Sequence, residues 1–263
     1  MERNAPTPVP PSPPDRPAFL RGLAAIGVSC AAPALVARAT IPAVAPLTAG
    51  DRAILGAAAV AEALAVTTYT HIIASAPFYQ RLFPEDQAYL QAARQQEMAH
   101  YLLVRGLLGA PAPVAAFFYP RGMFASAQRT VDTLVALEEV FIAAYLVAVR
   151  NFATPDLRTA AARIMGVESD HRTMARVMAP GLDPQDGGPL RSVTGSAGRA
   201  EAVDPACNNG YERTLGWTRI EQAMAALRPF VDPAAAAKAG FDTTKRYAFT
   251  PFTPTLPTPL GAF

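Results

Sequence analysis

The sequence predicts an all-α protein: a four-helix bundle with one long crossover, followed by a shorter helix and a Pro-rich tail. Three observations carry this expectation. The 26 prolines crowd into the N-terminal lead, the stretch after Gly109 and the C-terminal tail. Between them lie Ala- and Leu-rich runs nearly free of Gly and Pro, the pattern of long helices framed by irregular ends. The links between the runs are short, long and short, which suits two antiparallel hairpins joined by a crossover.

Bulk composition narrows the function classes. The chain has 263 residues and is 51% hydrophobic, enough to bury a sizeable core. Charged residues make up only 17% and the formal net charge is +2. No basic stripe or acidic block occurs, so neither nucleic acid nor an electrostatically held membrane is an expected partner. Cys30 and Cys207 are the only cysteines, and Cys30 lies in a segment expected to be removed. A disulfide framework is therefore not expected, and stability must come from helix packing or from metal.

Residues 1–39 read as an export signal. A polar, Pro-rich lead ends in Arg16-Pro17-Ala18-Phe19-Leu20-Arg21, an apolar run follows from Leu23 to Val36, and Ala37-Arg38-Ala39 forms a small-x-small cleavage pattern. The apolar run is too short to span a bilayer, so no stable membrane span is expected there. The segment around Arg16 resembles the twin-arginine consensus, except that Pro17 stands where the second Arg belongs. Export to the periplasm or secretion is the expected localisation. A disordered N-terminal tail is the competing reading. A lipoprotein reading through Cys30 is weakened by Gly27, where Leu is usually wanted.

The bundle is expected over residues 49–179. Its first helix runs from about Ala49 to Ser75 and stops at Ala76-Pro77. The second begins at Pro84-Glu85-Asp86, with proline in the first turn and two acids at the positive end of the dipole, and ends near Gly109. The third runs from about Ser126 to Asn151, and the fourth opens at Thr154-Pro155-Asp156 and stops before Pro180-Gly181. Each is about 36 to 40 Å long at 1.5 Å per residue. The link from Gly109 to Ala125, if extended, covers about 50 Å, enough to run back along the bundle. Residues 180–263 form a C-terminal extension: a Gly/Ser-rich loop, a fifth helix over about Tyr211 to Leu227, and a Thr/Pro-rich tail that either wraps the bundle or a partner copy, or is disordered.

The chemistry-bearing residues sit near the middles of the four long helices. Of three histidines, two have Glu three residues earlier, in Glu97-Met98-Ala99-His100 and Glu168-Ser169-Asp170-His171. With ten glutamates in the chain, chance gives each His roughly a 4% probability of such a neighbour. Positions i and i+3 of a helix face the same way, so each pair shares a side. The other two helices carry Glu62 with Tyr69 and Glu138 with Tyr145, each seven residues apart and on one face to within about 20°. Their neighbours Leu55, Val66, Val131, Leu134, Phe141 and Ile142 are apolar, so Glu62 and Glu138 are acids inside a buried stripe. A lone buried carboxylate costs several kcal/mol unless paired or metal-bound. The two halves thus repeat one pattern: Glu-x6-Tyr on one helix, Glu-x-x-His on the next.

One Glu from each of two helices and one Glu-x-x-His from each of the other two is the ligand set of the ferritin-like carboxylate proteins with two iron or two manganese ions. The chain resembles that superfamily. Within it the leader, Leu137-Glu138-Glu139 followed by Ala143-Ala144-Tyr145, and the C-terminal extension are similar to a secreted group that includes desiccation-related proteins. The resemblance implies that two metal ions bind, with Glu97 and Glu168 bridging, Glu62 and Glu138 terminal, and His100 and His171 each on one ion. Tyr69, Tyr145 and Glu139 are candidates to support these groups, and Glu139 is the alternative to Glu138 as ligand. His71 lies about 180° round the helix from Glu62 and is expected to miss the metals. Tyr101 and Trp217 read as packing residues, and Cys207 has no ligand partner nearby.

Oxygen and imidazole donors without thiolate suit iron or manganese better than copper(I) or a sulfur cluster, and of the two iron is the expected cofactor. The implied function is oxidoreductase or ferroxidase-like chemistry on O₂ or peroxide in stress or metal handling, with manganese-catalase-like chemistry as a variant. The alternative is a stress- or desiccation-related structural or binding protein in which metal serves only stability. A storage cage is a third reading, and a homo-oligomer is an open expectation.

Overall fold

A computed structural model describes residues 46–178 and 215–255. The expected leader, the loop after Pro180, Cys30 and Cys207 lie outside them. The order of elements is helix α1 (Ala49–Ser75), helix α2 (Pro84–Leu108), strand β1 (Ala116–Pro120), helix α3 (Ala127–Asn151), helix α4 (Pro155–Met178), helix α5 (Ile220–Val231), the short helix α6 (Pro233–Lys238) and strand β2 (Phe241–Ala248).

Local chemistry sets the helix ends. At the start of α1, Thr48 Oγ1 accepts from the Asp51 amide at 3.0 Å and Asp51 Oδ2 accepts from the Thr48 amide at 2.9 Å, a reciprocal capping box. Pro84 occupies the first turn of α2, where its missing N–H costs nothing. Gly109 ends that helix with φ 72°, the left-handed region a Cβ disfavours. Ser126 and Thr154 cap α3 and α4, their hydroxyls accepting at 3.3 Å from the amides of Arg129 and Leu157.

The hairpins α1/α2 and α3/α4 pack into a bundle. Glu62 and Tyr69 on α1 meet Tyr145 and Glu138 on α3, so those two helices run antiparallel. Asp51 Oδ1 also accepts from the Ala153 amide at 3.0 Å, tying the start of α1 to the turn between α3 and α4. Two antiparallel hairpins arranged this way force the chain to travel the length of the bundle between α2 and α3. Helix α1 is apolar on nearly every face and is long and apolar enough, by length and composition, to cross a membrane. Most of that stretch is buried in protein, because α2, α3, the crossover and α5 surround it.

The crossover is built rather than loose. Its β1 residues Phe117, Phe118 and Tyr119 are buried. The Tyr119 hydroxyl hydrogen-bonds with Thr68 Oγ1 at 3.0 Å. The C-terminal extension adds what the sequence did not predict: β2 pairs antiparallel with β1, with Ala116 opposite Ala248, Pro120 opposite Phe241 and an irregularity between Phe117 and Tyr119. Of the expected fifth helix, residues 211–214 lie outside the described residues, residues 215–219 are not helical, and the helix runs from Ile220 past Leu227 to Val231. Gln222 Oε1 accepts from the amides of Thr218 and Arg219 at 3.0 and 3.1 Å, starting the helix there. Pro229 is tolerated in the last turn. Beyond β2 the tail lies along α2: Phe249 packs edge-on to Tyr101 at 4.6 Å, Arg94 lies 4.2 Å over Phe252, and the Thr255 amide donates to Gln95 Oε1 at 2.8 Å.

Candidate metal centre

Each bundle helix projects its mid-point acid inward, and the six expected side chains meet in one interior cluster. Glu97, Glu138 and Glu168 have no solvent exposure, and Glu62, His100 and His171 have 3% or less. They form two overlapping groups of four: Glu62, Glu97, His100 and Glu168, and Glu97, Glu138, Glu168 and His171, with the donor atoms of each group within 4.8 Å of one another. Glu97 and Glu168 belong to both groups.

A near-twofold relation exchanges the two halves. His100 Nδ1 lies 3.1 Å from Glu168 Oε1 across the site and 3.5 Å from Glu97 Oε2 on its own helix. His171 Nδ1 lies 2.7 Å from Glu97 Oε1 across the site and 3.2 Å from Glu168 Oε2 on its own helix. The remaining acids stand further off, Glu62 at 3.6 Å from His100 and Glu138 at 4.0 Å from His171. Both imidazoles thus turn Nδ1 toward the carboxylates.

The tyrosines cross the same axis. Tyr69 of α1 donates to Glu138 Oε1 of α3 at 2.8 Å, and Tyr145 of α3 donates to Glu62 Oε1 of α1. Burial and the neighbouring carboxylates push both hydroxyls well above their ordinary range, so they remain protonated donors. One oxygen of each outer acid is thereby fixed, and the other is buried without a hydrogen-bond partner.

Those remaining atoms identify the chemistry. Glu62 Oε2, both oxygens of Glu97, Glu138 Oε2, Glu168 Oε1 and His100 Nδ1 are buried with no aligned hydrogen-bond partner. Buried charge without partners costs several kcal/mol per group, and cations at the centre would offset it. Without metal, protons take that role. Burial pushes the Glu62 carboxyl up to about 7, against His100, which lowers it. Burial and then Glu168 and Glu97 raise Glu138 well above the carboxylate range. Burial alone would lower both imidazoles, but Glu168, Glu62 and Glu97 around His100, and Glu97, Glu168 and Glu138 around His171, hold them well above the ordinary value. Glu168 is held low: burial and Glu62 raise it, but His100 and His171 outweigh them. The donor set therefore fits a bound cation, with oxygen and imidazole donors and no sulfur.

Other expected residues fall outside the cluster. Glu139 is half-buried and in neither group of four, whereas Glu138 is in one. His71 packs edge-on to Tyr247 at 4.7 Å, away from the centre. Tyr101 is buried against Phe249, and Trp217 is half-buried just before α5. One contact escaped the sequence reading: His171 donates from Nε2 to Gln96 Oε1 of α2 at 2.8 Å. Gln96 lies about 100° from Glu97 on its own helix, so no single-helix pattern points to it.

The comparison with known proteins agrees with this geometry. A family profile described as ferritin-like domain matches residues 50–179, the four-helix bundle. No curated protein and no solved structure matches the chain. With the buried cluster of four glutamates and two histidines on the matched helices, residues 50–179 are a ferritin-like domain.

Proposed function

We propose that the chain is a two-metal protein with oxidoreductase or ferroxidase-like chemistry, using iron in preference to manganese and acting on O₂ or peroxide. The carrying observation is the pair of overlapping donor groups that share Glu97 and Glu168. Shared carboxylates between two terminal sets suit two neighbouring ions better than one. Glu97 and Glu168 would bridge, Glu62 with His100 would complete one ion's shell, and Glu138 with His171 the other's. The bound pair would supply two-electron exchange with O₂ or peroxide. The protein's own groups hold and orient: Tyr69 and Tyr145 pin one oxygen of each terminal acid, and the closed core keeps bulk water from the donors.

A specific observation also favours a structural reading. All six side chains are nearly or wholly closed to solvent. A metal there would stabilise the bundle by neutralising buried acids without any turnover, as a stress-related binding or structural protein would need. Loading the metal-free protein with Fe(II), adding O₂ or H₂O₂, and following turnover and near-UV absorption separates the two. Turnover supports the oxidoreductase reading, and bound iron without turnover overturns it. The leader pattern of residues 1–39 supports export as the setting.

A further inference from the structure

The two halves of the centre repeat their acids, imidazoles and tyrosines but not everything behind them. The near-twofold relation exchanges Glu97 with Glu168 and His100 with His171, so it also exchanges the preceding positions, Gln96 and Val167. Gln96 accepts from His171 Nε2 at 2.8 Å, whereas the side chain of Val167 has no atom that could accept from His100. His171 is also held edge-on by Tyr69 at 5.9 Å and Tyr89 at 6.3 Å. The tyrosine–glutamate bonds are reciprocal, so they do not distinguish the halves.

We propose that Gln96 is a positioning residue that makes the two metal sites unequal. The group of Glu97, Glu138, Glu168 and His171 fills first and holds its ion more tightly. The group containing Glu62 and His100 fills second and exchanges faster. This rests on the two-ion reading above. An imidazole that donates through Nε2 keeps the Nδ1 lone pair for the ion, is fixed in orientation, and is a more basic ligand. Loss of such a partner typically lowers metal affinity about 10- to 100-fold. At limiting metal the protein would then hold one ion per chain, and the second site would set the threshold for two-electron chemistry.

Zn(II) tests this without turnover, because it is redox-inert and diamagnetic. Calorimetry of the full chain stripped of metal is expected to show two resolved binding steps. Gln96→Val is expected to weaken the tighter step about 10- to 100-fold and merge the two. Gln96→Glu, which keeps an acceptor oxygen, is expected to keep them apart. In ring-nitrogen NMR of the zinc-loaded protein, the His171 Nε2 proton should be protected from exchange in the wild type and lose protection in Gln96→Val. A merely structural role for Gln96 would lower thermal stability and leave the separation of steps untouched. Two equal steps in the wild type, or unchanged steps in Gln96→Val, overturn the inequality and leave the two-ion reading standing. Failure to bind zinc at all overturns both.

Discussion

The two hairpins carry the same Glu-x6-Tyr and Glu-x-x-His pattern, yet they live in different surroundings. In α1/α2, α1 is buried along nearly its whole length, and α2 is overlaid by the tail through Phe249, Phe252 and Thr255. In α3/α4, α4 keeps a solvent face of Arg158, Thr159, Ala162, Arg163, Gly166 and Asp170. The contrast teaches that the centre constrains only the inward stripe of each helix. What covers the outer faces is a separate matter, which is why α1 is apolar all round and α4 is amphipathic.

The strongest way to break the comparison is at the shared acids. Glu97→Ala or Glu168→Ala should each abolish binding of both ions, whereas Glu62→Ala or Glu138→Ala should remove about one ion per chain, read by metal analysis. Unchanged metal content in a Glu97→Ala, Glu168→Ala double variant would end those assignments. Next in size is the covering of the first hairpin. Phe117 of β1 is fully buried, so Phe117→Ala should cost about 3 to 5 kcal/mol in denaturant unfolding. Thr159→Ala on the open face of α4 should stay within about 0.5 kcal/mol.

The pH response sharpens the comparison further. Glu62 rises from 4.5 to about 7 on folding, so the metal-free folded state binds more protons than the unfolded state between those values. The raised imidazoles contribute stability that is present below their unfolded value of 6.5 and lost as pH climbs through the folded one. Both have the same sign, so the metal-free protein should lose about 3 kcal/mol or more between pH 5 and 8. Glu168, held low, acts the other way but only below about pH 4.5, outside this window. The metal-loaded protein should show a much flatter profile, and metal uptake should release protons, measurable by calorimetry in two buffers.

Smaller effects test the twofold relation itself. Tyr69→Phe and Tyr145→Phe each remove one donor from a buried acid, and each should cost about 1 to 3 kcal/mol in thermal unfolding. Similar losses support the crossed arrangement, and an effect in one variant alone would break it. Glu139→Ala should be the mildest, with metal content retained and stability within about 0.5 kcal/mol.

Much of this was legible in the chain because it is local. Glu97 with His100 and Glu168 with His171 share a helix face by spacing alone, and Gly109 and Thr154 mark helix ends through their own backbone and side-chain chemistry. The partnerships were not legible. The sequence places Tyr69 on the face of Glu62, but its hydroxyl bonds Glu138 on another helix. Strand β1 is five residues long and β2 is mostly exposed, so neither carries a period that reveals the other across more than a hundred residues.

The sequence by itself determined the four rods, their inward acids and imidazoles, and the need for a crossover, because helix periodicity and capping act over a few residues. Only the tertiary structure decided that the tyrosines cross between halves, that the tail closes over the crossover as a strand, and that Gln96 meets His171. Those contacts join residues far apart in the chain, and their geometry exists only once the helices have packed.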